Sequence, residues 1–296
     1  MIYIFYIKYF IKIFYMENYF RIIRIKQIQF RKYCQKKELK IIDLPIIKQN
    51  NNIEAVLIET RILNHIPFII KNAIKKLGTE VSLTVVCGNS NEEQIRNIKK
   101  NINRDIRIIN LGLDNLTREE YSIMLLDSNF WKRFHGEKLL IFQEDTIIFR
   151  KLDPKFLQYD YIGAPLENYS IGNGGLSLRN KSIMIEICER FFDSEKPKFE
   201  RAVKFLQKHK DKLKIKNINL YCKSELLFLY KVEEYILEDC RITEMMRKYK
   251  IGKLPTFELG REFSIEKFNH PRPFGGHAFW HTIPNFERWL DYNLKY

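Results

Sequence analysis

The sequence has few cysteines and none of the spacings that cysteine chemistry requires. No two of its five cysteines form a C-x-x-C pair, and their number is odd. This pattern argues against a disulfide framework and against a zinc knuckle. It suits a reducing compartment, so we expect a cytoplasmic protein. The cysteines are Cys34, Cys87, Cys188, Cys222 and Cys240.

Nucleotide-binding loops and membrane-spanning runs are also missing. Neither G-x-x-x-x-G-K-[ST] nor G-x-G-x-x-G occurs, which disfavours a P-loop ATPase and a Rossmann dehydrogenase. The apolar N-terminal stretch MIYIFYIKYFIKIFYM contains Lys8 and Lys12 and is shorter than the ~20 residues of a spanning helix. No small-residue cleavage site follows it, so a signal peptide is not indicated. Three interpretations of this stretch remain open: an interfacial helix, a weak anchor, and an extension before a start at Met16. The first two predict contact with a membrane surface.

Positive charge is abundant but confined to two regions. The formal net charge is +15, and residues 1–50 and 195–216 carry nearly all of it. The basic run at 195–216 is interpreted as a solvated helix followed by a loop, with contact to an anionic substrate or surface as the alternative. Because no DNA- or RNA-binding motif accompanies either region, we expect no specific nucleic-acid partner.

Strand and helix patterns alternate from about residue 52. Apolar strand patterns occupy residues 53–60, 81–88, 105–112 and 138–143, and amphipathic helix patterns separate them. This order predicts an α/β fold with a mostly parallel central sheet flanked by helices. Since no Pro/Gly/Ser-rich linker or repeat interrupts it, residues 52–296 are expected to form a single domain after a basic and apolar extension at 1–51.

Polar residues interrupt the apolar sequence KLLIFQEDTIIF just after the fourth strand. Gln143 and Asp145 alternate along an extended chain and so point the same way, while Glu144 points elsewhere. Ligands of parallel sheets bind beyond the carboxyl ends of the strands. A carboxylate there is a hard ligand for Mg²⁺ or Mn²⁺, although a turn acid that caps a backbone amide fits the same pattern.

The ends of the first two strands provide further candidates. In a doubly wound sheet these ends would line a nucleotide pocket, and Arg61 suits contact with a phosphate or a base. The candidate donor-binding residues here are Thr60, Arg61, Cys87 and Gly88.

Two glycine-containing loops and one helix start complete the candidates. SIGNGGLSLR, residues 170–179, surrounds Asn173 with three glycines and predicts either a cleft wall against a polar ligand or a tight turn. In HPRPFGGHAFWH, residues 270–281, His277 has room to approach a ligand or metal, or is an ordinary loop histidine. Glu225 follows Ser224, a plausible N-cap, and is either a first-turn acid or a general base that faces the cleft.

Several of these stretches occur in order and together resemble a known family. AVLIETRILNHIPFIIKNAIKKLG, FWKRFHGEKLLIFQEDT and DYIGAPLENYSIGNGGLSLRNKS are similar to the DUF5672 group of glycosyltransferases, which is related to the GT-A superfamily. The resemblance runs from about Ala55 to His281. It implies a GT-A-like fold and metal-dependent transfer of a hexosyl or related group from a nucleotide-sugar donor, with UDP-sugars favoured. The acceptor would be a hydroxyl of a glycan, a protein or a small molecule.

The resemblance also implies roles for individual residues. The triplet 143–145 stands where GT-A enzymes carry the D-x-D motif that holds Mn²⁺ or Mg²⁺, which leaves Asp145 as a metal ligand. His277 matches a late histidine ligand, and Gln143 would contact ribose or sugar. The segment Asn173, Gly174 and Gly175 matches the loop that faces the transferred sugar.

The base assignment departs from the family pattern. Related inverting enzymes carry an E-D-V segment whose Asp is the base, and Ser224-Glu225-Leu226 is assigned to that place here. Glu225 is then the expected catalytic base of an inverting transfer. Because Gln143 and Glu225 are not the usual residues, the alternative is a catalytically inactive carbohydrate-binding or scaffold protein of the same fold.

Overall fold

A mixed six-stranded sheet forms the centre of the molecule. The computed structural model describes residues 21–49, 51–166, 172–194, 196–198, 200–202, 204, 205, 208 and 237–294. Within them the sheet has the order β3-β2-β1-β4-β7-β6, in which β1 to β4 are parallel and β7 is antiparallel to both of its neighbours. Its strands are β1 (Ile53–Ile58), β2 (Val81–Cys87), β3 (Ile106–Asn110), β4 (Lys138–Phe142), β6 (Tyr161–Gly163) and β7 (Leu176–Asn180).

A small second sheet lies beyond the end of β4. It contains β5 (Thr146–Ile148), β8 (Ser264–Ile265) and β9 (Gly275–His277), in the order β5-β9-β8. In the antiparallel pairing of β5 with β9, Thr146 lies opposite His277. This register brings a loop from near the end of the chain alongside the triplet 143–145.

Helices cover both faces of the central sheet. Ala55 and Leu57 of β1 belong to one buried cluster and Val56 and Ile58 to the other, which explains why the parallel strands are apolar throughout. No helix among the described residues combines the length and the apolar character needed to cross a bilayer. The helices are α1 (21–38), α2 (Ile66–Leu77), α3 (Glu92–Ile102), α4 (Arg118–Leu125), α5 (Ser128–Trp131), α6 (Lys181–Ser194), α7 (Glu238–Tyr249), α8 (Phe257–Phe263) and α9 (Phe286–Asn293), with 3-10 turns at Pro154–Gln158 and Phe279–His281.

Local sequence signals fix the ends of several helices. Helix α4 begins with a capping box, because the Thr117 side chain accepts from the backbone of Glu120 and the Glu120 side chain accepts in return from the backbone of Thr117. Helix α2 ends at Gly78, whose φ of 77° favours glycine. These are short-range signals, so the pattern of the sequence suffices to predict them.

The segment before β1 is part of the packed unit. Phe30 is fully buried and its ring stacks on Trp280 at a centroid distance of 4.3 Å, while Cys34, Ile41 and Ile47 join the same core. The sequence assigns residues 1–51 to an extension, but the described part of that segment packs on the domain. The difference arises because a single amphipathic helix outside the strand-helix alternation gives no sign of what its apolar stripe contacts. The mixed α/β architecture agrees with the predicted fold class, while its assignment to GT-A stays a prediction.

Candidate functional site

The carboxyl end of β4 is joined to the glycine loop that precedes β7. The backbone N–H of Gln143 donates to the carbonyl oxygen of Gly175 at 3.1 Å, and the Thr146 hydroxyl donates to the same oxygen at 3.0 Å. The triplet 143–145 therefore lies against residues 173–175, as the sequence interpretation expects of two walls of one site.

Asp145, His277 and Gln143 converge at this edge of the sheet. His277 Nε2 lies 3.2 Å from Asp145 Oδ1 and 3.2 Å from Gln143 Oε1. Asp145 and His277 thus approach each other as predicted, and their role as metal ligands stays a prediction. Asp145 Oδ1 is buried, forms an ion pair with the protonated imidazole, and makes no further polar contact of hydrogen-bond geometry in the described part of the chain. A carboxylate oxygen has more than one lone pair, so Oδ1 can still accept a ligand.

Glu266 lies on the opposite side of the imidazole. Its Oε1 is 3.9 Å from His277 Nδ1, and neither Glu266 Oε2 nor His277 Nδ1 has a hydrogen-bond partner among the described residues. Burial raises the pKa of Glu266. Burial alone would lower the pKa of His277, but the charges of Asp145, Glu266 and Asp239 outweigh it and raise that pKa to about 9. The sequence analysis missed Glu266, whose only distinguishing feature in the sequence is its position directly after the short strand β8.

Asp239 is a second carboxylate that the sequence analysis missed. It lies in the first turn of α7, where Oδ2 accepts from the backbone N–H of Gly174 at 2.8 Å and Oδ1 from that of Cys240 at 2.7 Å. Burial and the charge of Glu238 raise the pKa of Asp239 to about 6. The dipeptide Glu238-Asp239 resembles the first two residues of the E-D-V segment more closely than Ser224-Glu225 does, a signal that the assignment to residues 224–226 overlooked. Glu225 itself lies outside the described residues.

Arg179 holds the partner acid of that dipeptide in place. Its Nη2 is 2.7 Å from Glu238 Oε1, and both side chains are buried. The guanidinium also lies over the rings of Tyr161 and Trp131, at 4.8 and 5.4 Å from the centroids. Because Arg179 neutralises Glu238, Asp239 is the carboxylate of the pair that remains for chemistry.

The glycine loop is closely packed between His277 and α7. A Cβ at Gly175 would lie 2.3 Å from the imidazole atoms Cδ2 and Nε2, and one at Gly174 would lie 2.7 Å from Glu238 Oε1. Asn173 Oδ1 accepts from the Gly175 N–H at 2.9 Å and so stabilises the loop itself. Glycine is needed here because the backbone touches the imidazole on one side and the start of α7 on the other.

The candidates at the ends of β1 and β2 mostly contact other parts of the protein. The Thr60 hydroxyl donates to Asn115 Oδ1 at 2.9 Å, the Gly88 N–H donates to Asn91 Oδ1 at 2.9 Å, and Cys87 is fully buried. These residues shape the edge of the site, and their contact with a donor stays a prediction.

Arg61 differs from these neighbours because half of its side chain is exposed. It forms a bidentate ion pair with Glu59, with contacts of 2.8 and 2.7 Å, and its Nη2 is 3.4 Å from Glu144 Oε1. The guanidinium charge is therefore fixed in position near the end of β1 and still accessible to a ligand.

Glu144 points away from Asp145, but residues 143–145 form a turn after β4, closed by the Thr146 N–H donating to the Gln143 carbonyl oxygen at 3.1 Å, and not the extended chain expected from the sequence. Its carboxylate contacts His65 Nε2 at 2.7 Å and forms an ion pair with Arg31 of α1. Burial would raise the pKa of Glu144, but hydrogen bonds from His65 and Arg31 lower it to about 2. The middle acid of the triplet therefore anchors α1 and takes no part in the cluster around His277.

The residues around Asp145 suit a divalent cation only with help from a ligand. The described residues contain no group of three or more His, Cys, Asp or Glu that could hold a metal. Mg²⁺ is usually held by one or two carboxylates together with substrate phosphates. Two neighbouring ligand atoms of an octahedral ion at ~2.1 Å are about 3 Å apart, which the two 3.2 Å separations match. With a pKa of about 9 the imidazole is protonated at neutral pH, so His277 and Asp145 fit a cation only if the ion displaces that proton and outside ligands complete its coordination.

Comparison with known proteins identifies the family of the chain. The crystal structure of the glycosyltransferase GlyE in Streptococcus pneumoniae TIGR4 is similar at 12% identity and a TM-score of 0.38, over 81% of this chain and 56% of that one. This chain thus spans little more than half the length of that protein. No curated protein matches the sequence. The model of the family described as "Protein of unknown function (DUF5672)" matches residues 105–277, which is more than half of the chain, so the chain belongs to the DUF5672 family.

Proposed function

We propose that this chain is a glycosyltransferase of GT-A-like organisation that moves a sugar from a nucleotide-sugar donor to an acceptor hydroxyl. The convergence of Asp145, His277 and Gln143 supports this proposal most strongly. Gln143 and His277 are 134 positions apart in the sequence, yet they meet at the carboxyl end of the parallel strands beside a glycine loop. Ligands of open α/β sheets bind at that edge.

The donor diphosphate would lie between Asp145 and Arg61. Asp145 and His277 would hold Mn²⁺ or Mg²⁺, which when bound neutralises charge that develops on the departing diphosphate. Arg61 would add a fixed positive charge at the end of β1, and its existing ion pair with Glu59 keeps the guanidinium oriented. The closely packed backbone of residues 173–175 would face the transferred sugar, where a side chain at Gly175 has no room.

Asp239 is the base that the described residues favour. In the transfer the acceptor oxygen bonds to the anomeric carbon, the bond from that carbon to the diphosphate oxygen breaks, and the hydroxyl proton passes to a carboxylate. Asp239, with a pKa of about 6, is mainly ionised at neutral pH and remains a usable proton acceptor. A direct displacement of this kind inverts the anomeric centre. Glu225, the base expected from the sequence, remains the alternative.

A turnover assay on a panel of UDP-sugars in Mn²⁺ tests the proposal. We expect the wild-type protein to release UDP from at least one donor, faster with an acceptor present. Asp145→Asn should lower this rate by at least ~100-fold, since it removes a ligand charge that acts in the transition state. The matched control is Asp105→Asn, an exposed acid at the opposite end of β3, which should leave the rate unchanged.

Two other outcomes would redirect the proposal. If the purified protein binds a UDP-sugar with Mn²⁺ but turns over none of the panel with any acceptor, the inactive carbohydrate-binding alternative is favoured. If Asp145→Asn and Asp105→Asn behave alike in an active protein, the cluster around His277 is not the reaction centre.

A further inference from the structure

Exposed apolar side chains are concentrated on the segment that precedes β1. Nine large hydrophobic side chains are exposed among the described residues, and six of these lie between residues 21 and 46. Three of the six are on α1, at 46–52% exposure, and three follow its end. They are Ile22, Ile25, Ile28, Leu39, Ile42 and Ile46. Such clustering marks an interaction surface, whereas scattered exposed apolar residues need no explanation.

The same side of α1 is strongly basic. The outer face of α1 is defined here as Ile22, Ile25 and Ile28 with the exposed cations Arg21, Arg24 and Lys32. At helical spacing these six residues share one side, opposite the buried Phe30 and Cys34. The outer face contains no acid. Within the described part of the chain its three cations form no ion pair, so their charge is available to a partner.

The inner side of α1 is fixed to the domain and therefore keeps the outer face exposed. Phe30 stacks on Trp280, Arg31 pairs with Glu144, and Lys26 Nζ donates to the backbone carbonyl of His281 at 3.2 Å. A helix held at three such points cannot rotate its isoleucines inward without losing a buried aromatic pair and a partly buried ion pair.

We propose that the outer face of α1 binds the surface of an anionic phospholipid bilayer. The half-exposed aliphatic side chains supply apolar contact with the acyl boundary, and the interleaved cations, which extend on long side chains, supply attraction to anionic head groups. A second copy of this chain would bring two basic faces together, which like-charge repulsion opposes. Nucleic acid would satisfy the cations but leave the isoleucines in water.

This docking would hold the candidate site close to the lipid. Arg31 lies on the flank of α1, between the outer face and the buried side, and pairs with Glu144, so α1 lies directly beside the acid next to Asp145. The proposal does not depend on the transfer activity, and lipid binding tests it separately.

Co-sedimentation of the full chain with phosphatidylcholine vesicles, with and without phosphatidylserine, gives the test. We expect binding that requires phosphatidylserine and weakens with salt. The variant Ile22→Gln/Ile25→Gln/Ile28→Gln should lower the partition coefficient by roughly 30-fold or more, because burial of the aliphatic side chains is lost. Arg21→Gln/Arg24→Gln should lower it by at least ~10-fold, since each cation near an anionic surface contributes about fivefold.

A matched control separates the outer face from apolar exposure in general. Ile62 and Ile123 are 62% and 46% exposed on other parts of the surface, so Ile62→Gln/Ile123→Gln should bind vesicles like the wild type. Should the triple isoleucine variant fail to fold, the arginine variant decides. Absence of wild-type binding, or binding unchanged by the outer-face variants, would overturn the proposal. The proposal would also be overturned if the outer-face variants abolished self-association or DNA binding while they still bound vesicles.

Discussion

Single side chains at the edge of the sheet determine the chemistry that the site can support. His277 has acids on two sides, Asp145 at Nε2 and Glu266 at Nδ1, and each acid carries a buried oxygen that makes no hydrogen bond within the described residues. Asp239 is held by backbone N–H groups across the glycine loop. In the proposed function, Asp145 and His277 would hold a cation with its diphosphate, and Asp239 would accept a proton.

Asp239 provides a prediction about pH at the residue scale. A carboxylate base is active when deprotonated, so with a pKa of about 6 its activity should be present above pH 6 and lost as the pH falls below it. Asp239→Asn should lower kcat by about 10²–10⁴-fold and remove this acidic limb. The measurement is the pH profile of kcat. Glu244→Gln, an exposed acid on the same helix, is the control and should keep the wild-type profile.

A wild-type profile in Asp239→Asn would exclude Asp239 as the base. In that case Glu225→Gln becomes the decisive variant, because Glu225 is the base that the family resemblance implies.

At the scale of elements, the glycine loop and α1 depend on contacts between distant parts of the chain. The loop fits only because two successive residues lack side chains, and α1 stays in place because Glu144 offers it a buried charge. Each of these contacts can be tested by one substitution.

Gly175→Ala should displace the imidazole of His277. The added Cβ would lie 2.3 Å from the ring, and overpacking of this kind costs about 1–3 kcal/mol of unfolding free energy. We also expect Mn²⁺-dependent donor binding to weaken by at least ~10-fold, measured by calorimetry. Gly136→Ala is the matched control, since its Cβ would lie 2.7 Å from that of Glu54 but far from His277. Equal donor affinity in both variants would show that the loop does not position His277.

Glu144→Gln should loosen α1 and change the acid stability of the protein. The pKa of Glu144 is lowered to about 2 in the folded state, so its contribution is present above the unfolded pKa near 4.5 and is lost as the pH falls toward 2. That contribution is at most ~3 kcal/mol.

The expected observation is a lower melting temperature at neutral pH and a shallower decline between about pH 4.5 and 2. The exposed Glu80→Gln should follow the wild type in both respects. Identical acid curves for Glu144→Gln and the wild type would show that this ion pair contributes nothing to stability.

At the scale of the whole molecule, local sequence patterns predicted the helices and strands. They predicted few of the contacts between those elements. The apolar strands and the glycine that ends α2 follow from periodicity and from backbone preferences that act over a few residues. The antiparallel direction of β7 does not, because the period of a strand carries no information about its direction in the sheet. The small sheet of β5, β8 and β9 does not either, because strands of two or three residues have no period. The approach of Asp145 to His277 was reached only through the family resemblance.

The short range of sequence patterns also explains which contacts the sequence analysis missed. Residues 21–49 looked like an extension because the sequence does not show that Phe30 meets Trp280 or that Arg31 meets Glu144. Asp239 and Glu266 were missed because a first-turn acid and an acid after a short strand are ordinary features. Their proximity to His277 is a property of the folded chain.

Calorimetric titration of UDP into the protein, with and without Mn²⁺, measures most directly whether Asp145 and His277 hold a cation against a diphosphate. We predict that wild-type binding requires Mn²⁺ and that Asp145→Asn and His277→Ala each weaken it by at least ~10-fold, while Asp105→Asn binds like the wild type. UDP binding of equal affinity without Mn²⁺, or wild-type affinity in both site variants, would contradict the proposed site.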